Sequence, residues 1–440
     1  MERLAMQDLE RWHLSPRRKP LLLQGARQVG KTWLMREFGK RAFANVAYVN
    51  FLEDENMTNV FEGSLSPDRL LDAVRLQTGV EAGSPDILVV FDEIQECPRA
   101  LTSMKAFAEQ APEVPLIAAG SLLGVALHQG ASFPVGKVDH LFLHPMTFKE
   151  FLFASGEDAM ADALNAADEG LMDAFSERFT EQLKRYYFVG GMPEAVLAWV
   201  ERKDYQEVRS IQERLLFDYE HDFSKYATPD LTEKLRLVWG SVPAQLAREN
   251  KTFIYSAVKS GARARGYEEA IQWLCDAGLL IKVNRVSKGG LPLAAYEDKD
   301  AFKLYFLDVG LLGAASRLVP GTLIEGNALF AEFKGALTEN YVCQELTAKG
   351  SVRPYYWSAD RSSAEVDFVY DYDGAIVPVE VKAETNLRAK SLRLFVERNG
   401  LERGVRLSLA GFQRQDWVVN IPLYAASLLP QQLKAVVEKA

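Results

Sequence analysis

Short apolar runs alternate with amphipathic stretches through the first third of the chain. Leu21–Leu23, Val46–Phe51, Ile87–Phe91 and Leu116–Ala119 each read as a buried strand, and each ends in polar or glycine-rich residues. Leu141–Leu143 reads as a further strand, and Thr32–Arg41 and Asp68–Thr78 carry helical spacing. This rhythm predicts a parallel sheet with crossover helices, an α/β fold, over residues 1–144. From Pro145 to Tyr226 the pattern turns helical, broken only at Gly190-Gly191-Met192-Pro193, and predicts a helical lid over 145–226. Residues 227–319 read as helix, short helix, longer helix and hairpin, with strands Leu279–Val286 and Ala301–Leu307 around Gly289-Gly290. Three helices and a β-hairpin are the order of a winged-helix domain. Pro320–Asn327 is the expected linker. A last segment, 320–440, opens with helix Phe330–Lys349 and continues with strands Pro354–Ser358, Ala364–Tyr370, Ile376–Lys382 and Gly404–Leu409.

Composition narrows the classes. The 440 residues are 48% hydrophobic and 25% charged, which fits several folded domains and excludes wholesale disorder. A net charge of −9 argues against a protein that coats nucleic acid through bulk electrostatics. Cys97, Cys275 and Cys343 are scattered, giving neither a disulfide framework nor a zinc site. The start, MERLAMQDLERWHLSPRRKP, is charged and lacks an apolar secretory core, and the longest weakly polar run, Leu116–Leu127, is far short of a bilayer span. The expectation is a cytoplasmic protein without a membrane partner.

Chemistry enters at two places. GARQVGKT, from Gly25 through Ala26, Arg27, Gln28, Val29, Gly30 and Lys31 to Thr32, follows an apolar strand and opens a helix, the context a P-loop requires. Its glycines let successive amides turn inward toward phosphate oxygens; Lys31 reaches the β- and γ-phosphates, and Thr32 offers a hydroxyl to Mg²⁺. ILVVFDE, Ile87–Glu93, supplies the other half: Asp92 to hold Mg²⁺ and Glu93 to polarise the attacking water. The expected ligands are therefore ATP and Mg²⁺, and the expected activity is ATP hydrolysis. Ser121, after its strand, is placed either to sense the γ-phosphate or to cap a helix starting at Leu122. Lys137 and Arg185 are candidate cationic contacts to nucleotide, or plain surface charges.

The second place is the C-terminal segment. Glu339 lies on a helix, Asp367 on a strand and Glu380-Val381-Lys382 on the next. Residues two apart on a strand share a face, so Glu380 and Lys382 project together, and Asp367 can join Glu380 on a second Mg²⁺ with Lys382 orienting water. The alternative is an acidic edge with Lys382 as an ion-pair partner. A basic stretch follows with Arg388, Lys390 and Arg393, suited to a phosphate backbone or to solvent. The expected reading helix of the winged-helix segment, Tyr267–Ala277, carries Glu268, Glu269 and Asp276 and no cation, which suits it poorly to a DNA groove. Lys259, Arg263 and Arg265 precede it and call for an anionic neighbour, a carboxylate or a phosphate.

GARQVGKTWL, FDEIQECPRAL, LHPMTFKEFL, GGMPEAVL, GALTENYVCQEL, AEVDFVY and PVEVK, in this order, resemble a widespread group of prokaryotic ATPases. In these an AAA-type P-loop domain is fused to a C-terminal domain of unknown function that resembles PD-(D/E)XK nucleases. The resemblance spans essentially the whole chain. It implies an AAA+-like core, a winged-helix middle and a restriction-endonuclease-like end. It assigns Gly30, Lys31 and Thr32 to nucleotide, Asp92 and Glu93 to the Walker B pair, and Glu339, Asp367, Glu380 and Lys382 to the nuclease-like positions. Many relatives carry arginine where this chain has Lys137. DNA, a protein partner and a homo-oligomer are the partners this class implies. The competing reading is a nucleotide-dependent switch that binds a protein, with an inactive C-terminal domain.

Overall fold

The computed structural model describes residues 2–121, 134–319, 328–348, 353–360, 363–384 and 388–429, which fall into two compact units. The expected linker Pro320–Asn327 and the expected helix start at Leu122 lie outside the described residues.

The first unit, residues 2–144 with 276–279, is built on strands β1 (Leu21–Gln24), β2 (Asn45–Asn50), β3 (Ile87–Asp92), β4 (Leu116–Ala119) and β5 (Asp139–Phe142). The sheet runs β2-β3-β4-β1-β5 with every pairing parallel. The continuous apolar runs are explained by this order, because the inner strands are covered on both faces. On one face Ala47, Val49, Val89, Phe91 and Ala118 pack with Phe61, Leu70, Val74, Met104 and Phe107 from the flanking helices. The helix Lys31–Ala42 buries Leu34, Met35 and Phe38, the inward stripe that a helical period sets out.

The second unit, residues 145–275 and 280–440, begins with the expected helical stretch, from Phe148–Ala154 through Tyr205–Tyr226. Helices Pro229–Leu246, Tyr255–Val258 and Ala264–Asp276 then lead into β6 (Leu280–Val286) and β7 (Glu297–Phe306), in the order the sequence predicts. The remaining strands are β8 (Tyr355–Ser358), β9 (Glu365–Tyr372), β10 (Ala375–Val381), β11 (Gly404–Ser408), β12 (Gln413–Arg414) and β13 (Val418–Pro422). The hairpin is not a free-standing wing. β6 pairs in parallel with β8, which places β6 and β7 at one end of an eight-stranded sheet, β12-β13-β11-β10-β9-β8-β6-β7. The division expected at 319/320 therefore does not interrupt the sheet.

The Gly190-Gly191 break has a packing reason. A Cβ at Gly191 would meet the Met146 carbonyl oxygen at 2.0 Å, and one at Gly190 would meet Asp308 Oδ1 at 2.2 Å. Asp308 is fully buried and accepts the Gly191 and Leu311 amides, at 2.6 and 2.9 Å, and the Gln344 side-chain amide at 3.3 Å. Burial pushes its carboxyl up to about 6, with those hydrogen bonds pulling the other way. Because the folded value exceeds the unfolded one, the folded state holds this proton more tightly, so its contribution to stability grows as pH falls through 6 toward 4 and is lost as pH rises. The unfolding free energy of the parent minus that of Asp308→Asn should rise by roughly 2–3 kcal/mol between pH 7 and pH 4. A flat difference in urea titrations across that range would refute the assignment.

Candidate functional site

The loop after β1 leaves from inside the first sheet, because β4 and β5 flank β1. Gly25 turns at φ +145°, where a Cβ would lie 2.2 Å from the Leu143 carbonyl oxygen. Gln28 at φ +64° and Gly30 at φ +95° adopt left-handed backbone before the helix Lys31–Ala42 begins. Arg3 braces the loop, donating to the Val29 carbonyl at 2.7 Å and to that of His144 at 2.6 Å.

Lys31 is 6% exposed and donates to the carbonyls of Gly25 (2.9 Å) and Ala26 (2.8 Å). Burial lowers its ammonium to about 8, against the opposing pull of Glu93 and Asp92. The Thr32 hydroxyl donates to Asp92 Oδ2 at 2.7 Å, so the two residues meet although β4 separates β3 from β1, the strand that leads into the loop. Tyr48 OH donates to the same oxygen at 2.7 Å, and the Glu93 amide donates to Asp92 Oδ1 at 3.0 Å. Arg36 lies over the Tyr48 ring at 4.2 Å. Glu93 itself sits at φ +53° and accepts from Gln95 Nε2 at 2.5 Å. Ser121 is buried two residues past the end of β4, the strand inserted between β1 and β3.

This donor set fits a magnesium-bound polyphosphate. Two hard oxygen donors, Thr32 and Asp92, meet at one point, an ammonium lies close behind them, and a helix begins at the loop. Of the other candidate cations, Lys137 pairs with Glu109 at 2.8 Å and Arg185 with Glu181.

The C-terminal residues are also brought together, with partners the sequence did not reveal. Lys382, one residue past β10, pairs with Glu380 Oε1 at 2.5 Å, the ion pair that the alternative reading also expects. Asp367 Oδ2 accepts the Val381 amide at 2.7 Å. Glu339, 5% exposed, is bound by Lys251 and by the Tyr305 hydroxyl (3.2 Å), and lies 3.7 Å from Lys303. Burial alone would raise the Glu339 carboxyl; Lys251 and Lys303 outweigh it and hold it below its ordinary range. Asp367 is pushed up to about 7, by burial first and the Glu339 charge second. Among the described residues no three His, Cys, Asp or Glu side chains gather as a metal site. Of the basic stretch, Lys390 and Arg393 lie on the helix Lys390–Arg398 and Arg388 precedes it; Arg393 pairs with Glu397 and lies over Trp417. Lys259 meets Glu233 at 3.5 Å, a carboxylate from another helix.

Arg3, Tyr48, Lys251 and Lys303 were not found from sequence. Only Lys303 left a signal, a single cation inside the apolar strand AFKLYF. No helix among the described residues is long and apolar enough to cross a membrane.

Residues 17–152 match the family model of the AAA domain. Residues 180–321 match a domain of unknown function, DUF8612, and residues 334–424 another, DUF4143. Residues 17–152 are thus an AAA-type P-loop ATPase domain, carried on a parallel α/β sheet. Among solved structures, the chain is similar to the Walker-type ATPase PABY2304 of Pyrococcus abyssi at 14% identity, covering 71% of this chain and 94% of that one with a TM-score of 0.42. It is also similar to the Aeropyrum pernix ORC1 protein in complex with DNA at 15% identity, covering 72% and 93% with a TM-score of 0.29. No curated protein matches the chain significantly.

Proposed function

We propose that this chain is a Mg²⁺-dependent ATP hydrolase that acts on DNA through a nuclease-like C-terminal segment. The observation that carries the ATPase reading is the 2.7 Å contact between Thr32 and Asp92 beside the buried Lys31 ammonium. In this reading the loop amides of Gly25–Thr32 hold the phosphates, and Lys31 exchanges its two carbonyl partners for β- and γ-phosphate oxygens. Thr32 and Asp92 are the protein's ligands to Mg²⁺, which neutralises charge on the phosphates when bound. Glu93 accepts a proton from the attacking water as the bond between the γ-phosphorus and its bridging oxygen breaks. Tyr48 and the Glu93 amide keep the Asp92 carboxylate oriented, and Ser121 senses the γ-phosphate from just beyond β4. The helical lid over 145–226 and the helices of 227–276, which lead into the sheet shared with the nuclease-like segment, carry the nucleotide state to that segment, and the AAA-type domain works as a homo-oligomer.

A second reading, a nucleotide-dependent switch for a protein partner with an inactive C-terminal segment, draws on two observations. The lysines on Glu339 stand where a nuclease-like site would need a free carboxylate. The outer face of the helix Ala264–Asp276 also exposes Glu268 and Glu269, a surface that repels a phosphate backbone.

ATP turnover with and without single- and double-stranded DNA separates the two. Severalfold stimulation is expected for a DNA-directed ATPase, whereas unchanged turnover and no DNA retention at low salt would favour the switch. Glu93→Gln should retain ATP binding while losing turnover by about 100-fold or more; turnover at the parental rate would remove Glu93 from its role.

A further inference from the structure

Lys303, on β7, is completely buried, yet its side chain points into carboxylates. It pairs with Glu365, lies 3.7 Å from Glu339 Oε2 and stacks over the Tyr356 ring at 4.9 Å. Lys251, in the loop before the helix Tyr255–Val258, pairs with the other oxygen of Glu339. That loop is tied down at the two residues after Lys251: Thr252 Oγ1 meets Tyr356 OH at 3.1 Å, and the Phe253 amide donates to the Phe302 carbonyl at 2.7 Å. Both lysines come from the segment that precedes the nuclease-like positions, and they reach Glu339 from two different elements.

We propose that Lys251 and Lys303 form a cationic latch that closes the Glu339–Asp367 cluster to divalent cations. The inference rests on reading the C-terminal segment as nuclease-like and supplies the regulation of that site. Two ammonium groups balance two carboxylates, Glu339 and Glu365. Both oxygens of Glu339 are already engaged, one by Lys251 and the other by the Tyr305 hydroxyl. A metal ion would have to displace a buried ammonium to gain that ligand, leaving the lysine without its anion in a dry environment. The site therefore opens only when the 247–254 loop and Lys303 give up the carboxylates.

Equilibrium dialysis of the full chain against Mn²⁺, without nucleotide, tests the latch. Binding that disappears in Asp367→Ala identifies ions at this cluster. The expected result is no such binding in the parent and a gain in affinity of at least about tenfold in Lys251→Met/Lys303→Met. Because Lys303→Met leaves the partly exposed Glu365 without its ammonium partner, Lys251→Met alone is the second variant, with a partial gain expected and folding checked by near-ultraviolet circular dichroism. Asp367-dependent binding in the parent overturns the latch while leaving the nuclease-like reading intact. Folded variants that stay silent overturn both the latch and that reading.

Discussion

Lys31→Ala should reduce ATP turnover by at least about 1,000-fold, and do so without unfolding the protein. The two halves of this expectation come from one observation. Lys31 is an almost fully buried cation whose direct partners are two neutral carbonyls. Burial has lowered its ammonium to about 8, so holding it charged at neutral pH costs the folded state roughly 3 kcal/mol. A group that burdens the fold in this way is suited to an anion that arrives from solution. Removing it relieves the burden and leaves two carbonyls short of a donor, changes that largely offset one another. Coupled-assay turnover near zero with a melting temperature within a few degrees of the parent is the expected pair of results. Turnover at the parental rate would dismiss the loop as the nucleotide site, and collapse of the fold would recast Lys31 as a structural residue.

Gly191→Ala should destabilise the second unit by about 3 kcal/mol or more, lowering its calorimetric transition by roughly 10 °C. The added carbon would fall 2.0 Å from the Met146 carbonyl oxygen and 2.8 Å from its nitrogen. Neither atom can retreat easily. The Met146 amide donates to the Gly191 carbonyl at 2.7 Å, and the Met146 carbonyl accepts from the Tyr186 hydroxyl. Tyr186 in turn receives Gln344 Nε2 at 2.9 Å, and the nearby Phe148 amide donates to the buried Glu345. The overlap is therefore with a hydrogen-bonded backbone, and relief requires several bonds to break together. A transition within a degree or two of the parent would show that this contact is looser than its geometry implies.

These two residues also mark where the sequence was readable. Lys31 was legible because a phosphate loop is local: strand, glycines, cation and helix follow one another within a few residues, and Asp92-Glu93 end a plain apolar run. The same locality made β1 to β4 and the order of the later helices visible. Gly191 was legible only as an interruption, because its reason lies in Met146 and Asp308, which are distant along the chain. Arg3 and Tyr48 stayed hidden for a like cause; an arginine just ahead of a charged helix and a tyrosine in a strand acquire meaning only when folding brings Val29 and Asp92 to them. At the C-terminal cluster the strand period anticipated that Glu380 and Lys382 lie side by side, as their ion pair has them. It did not disclose Lys251 and Lys303, since nothing in a linear pattern announces which cation will neutralise a distant carboxylate. Periodicity likewise set the β6–β7 hairpin apart as a wing, because parallel pairing with β8 leaves no trace in local spacing.

That pairing decides how the molecule can be taken apart. Severing the chain near residue 320, where two family matches leave off and resume, would strip β6 and β8 of the amide and carbonyl partners each gives the other. Each fragment would then present a raw, hydrogen-bond-hungry border on which further copies could stack into aggregates. The two stretches can be inherited under separate descriptions and still have to fold as one.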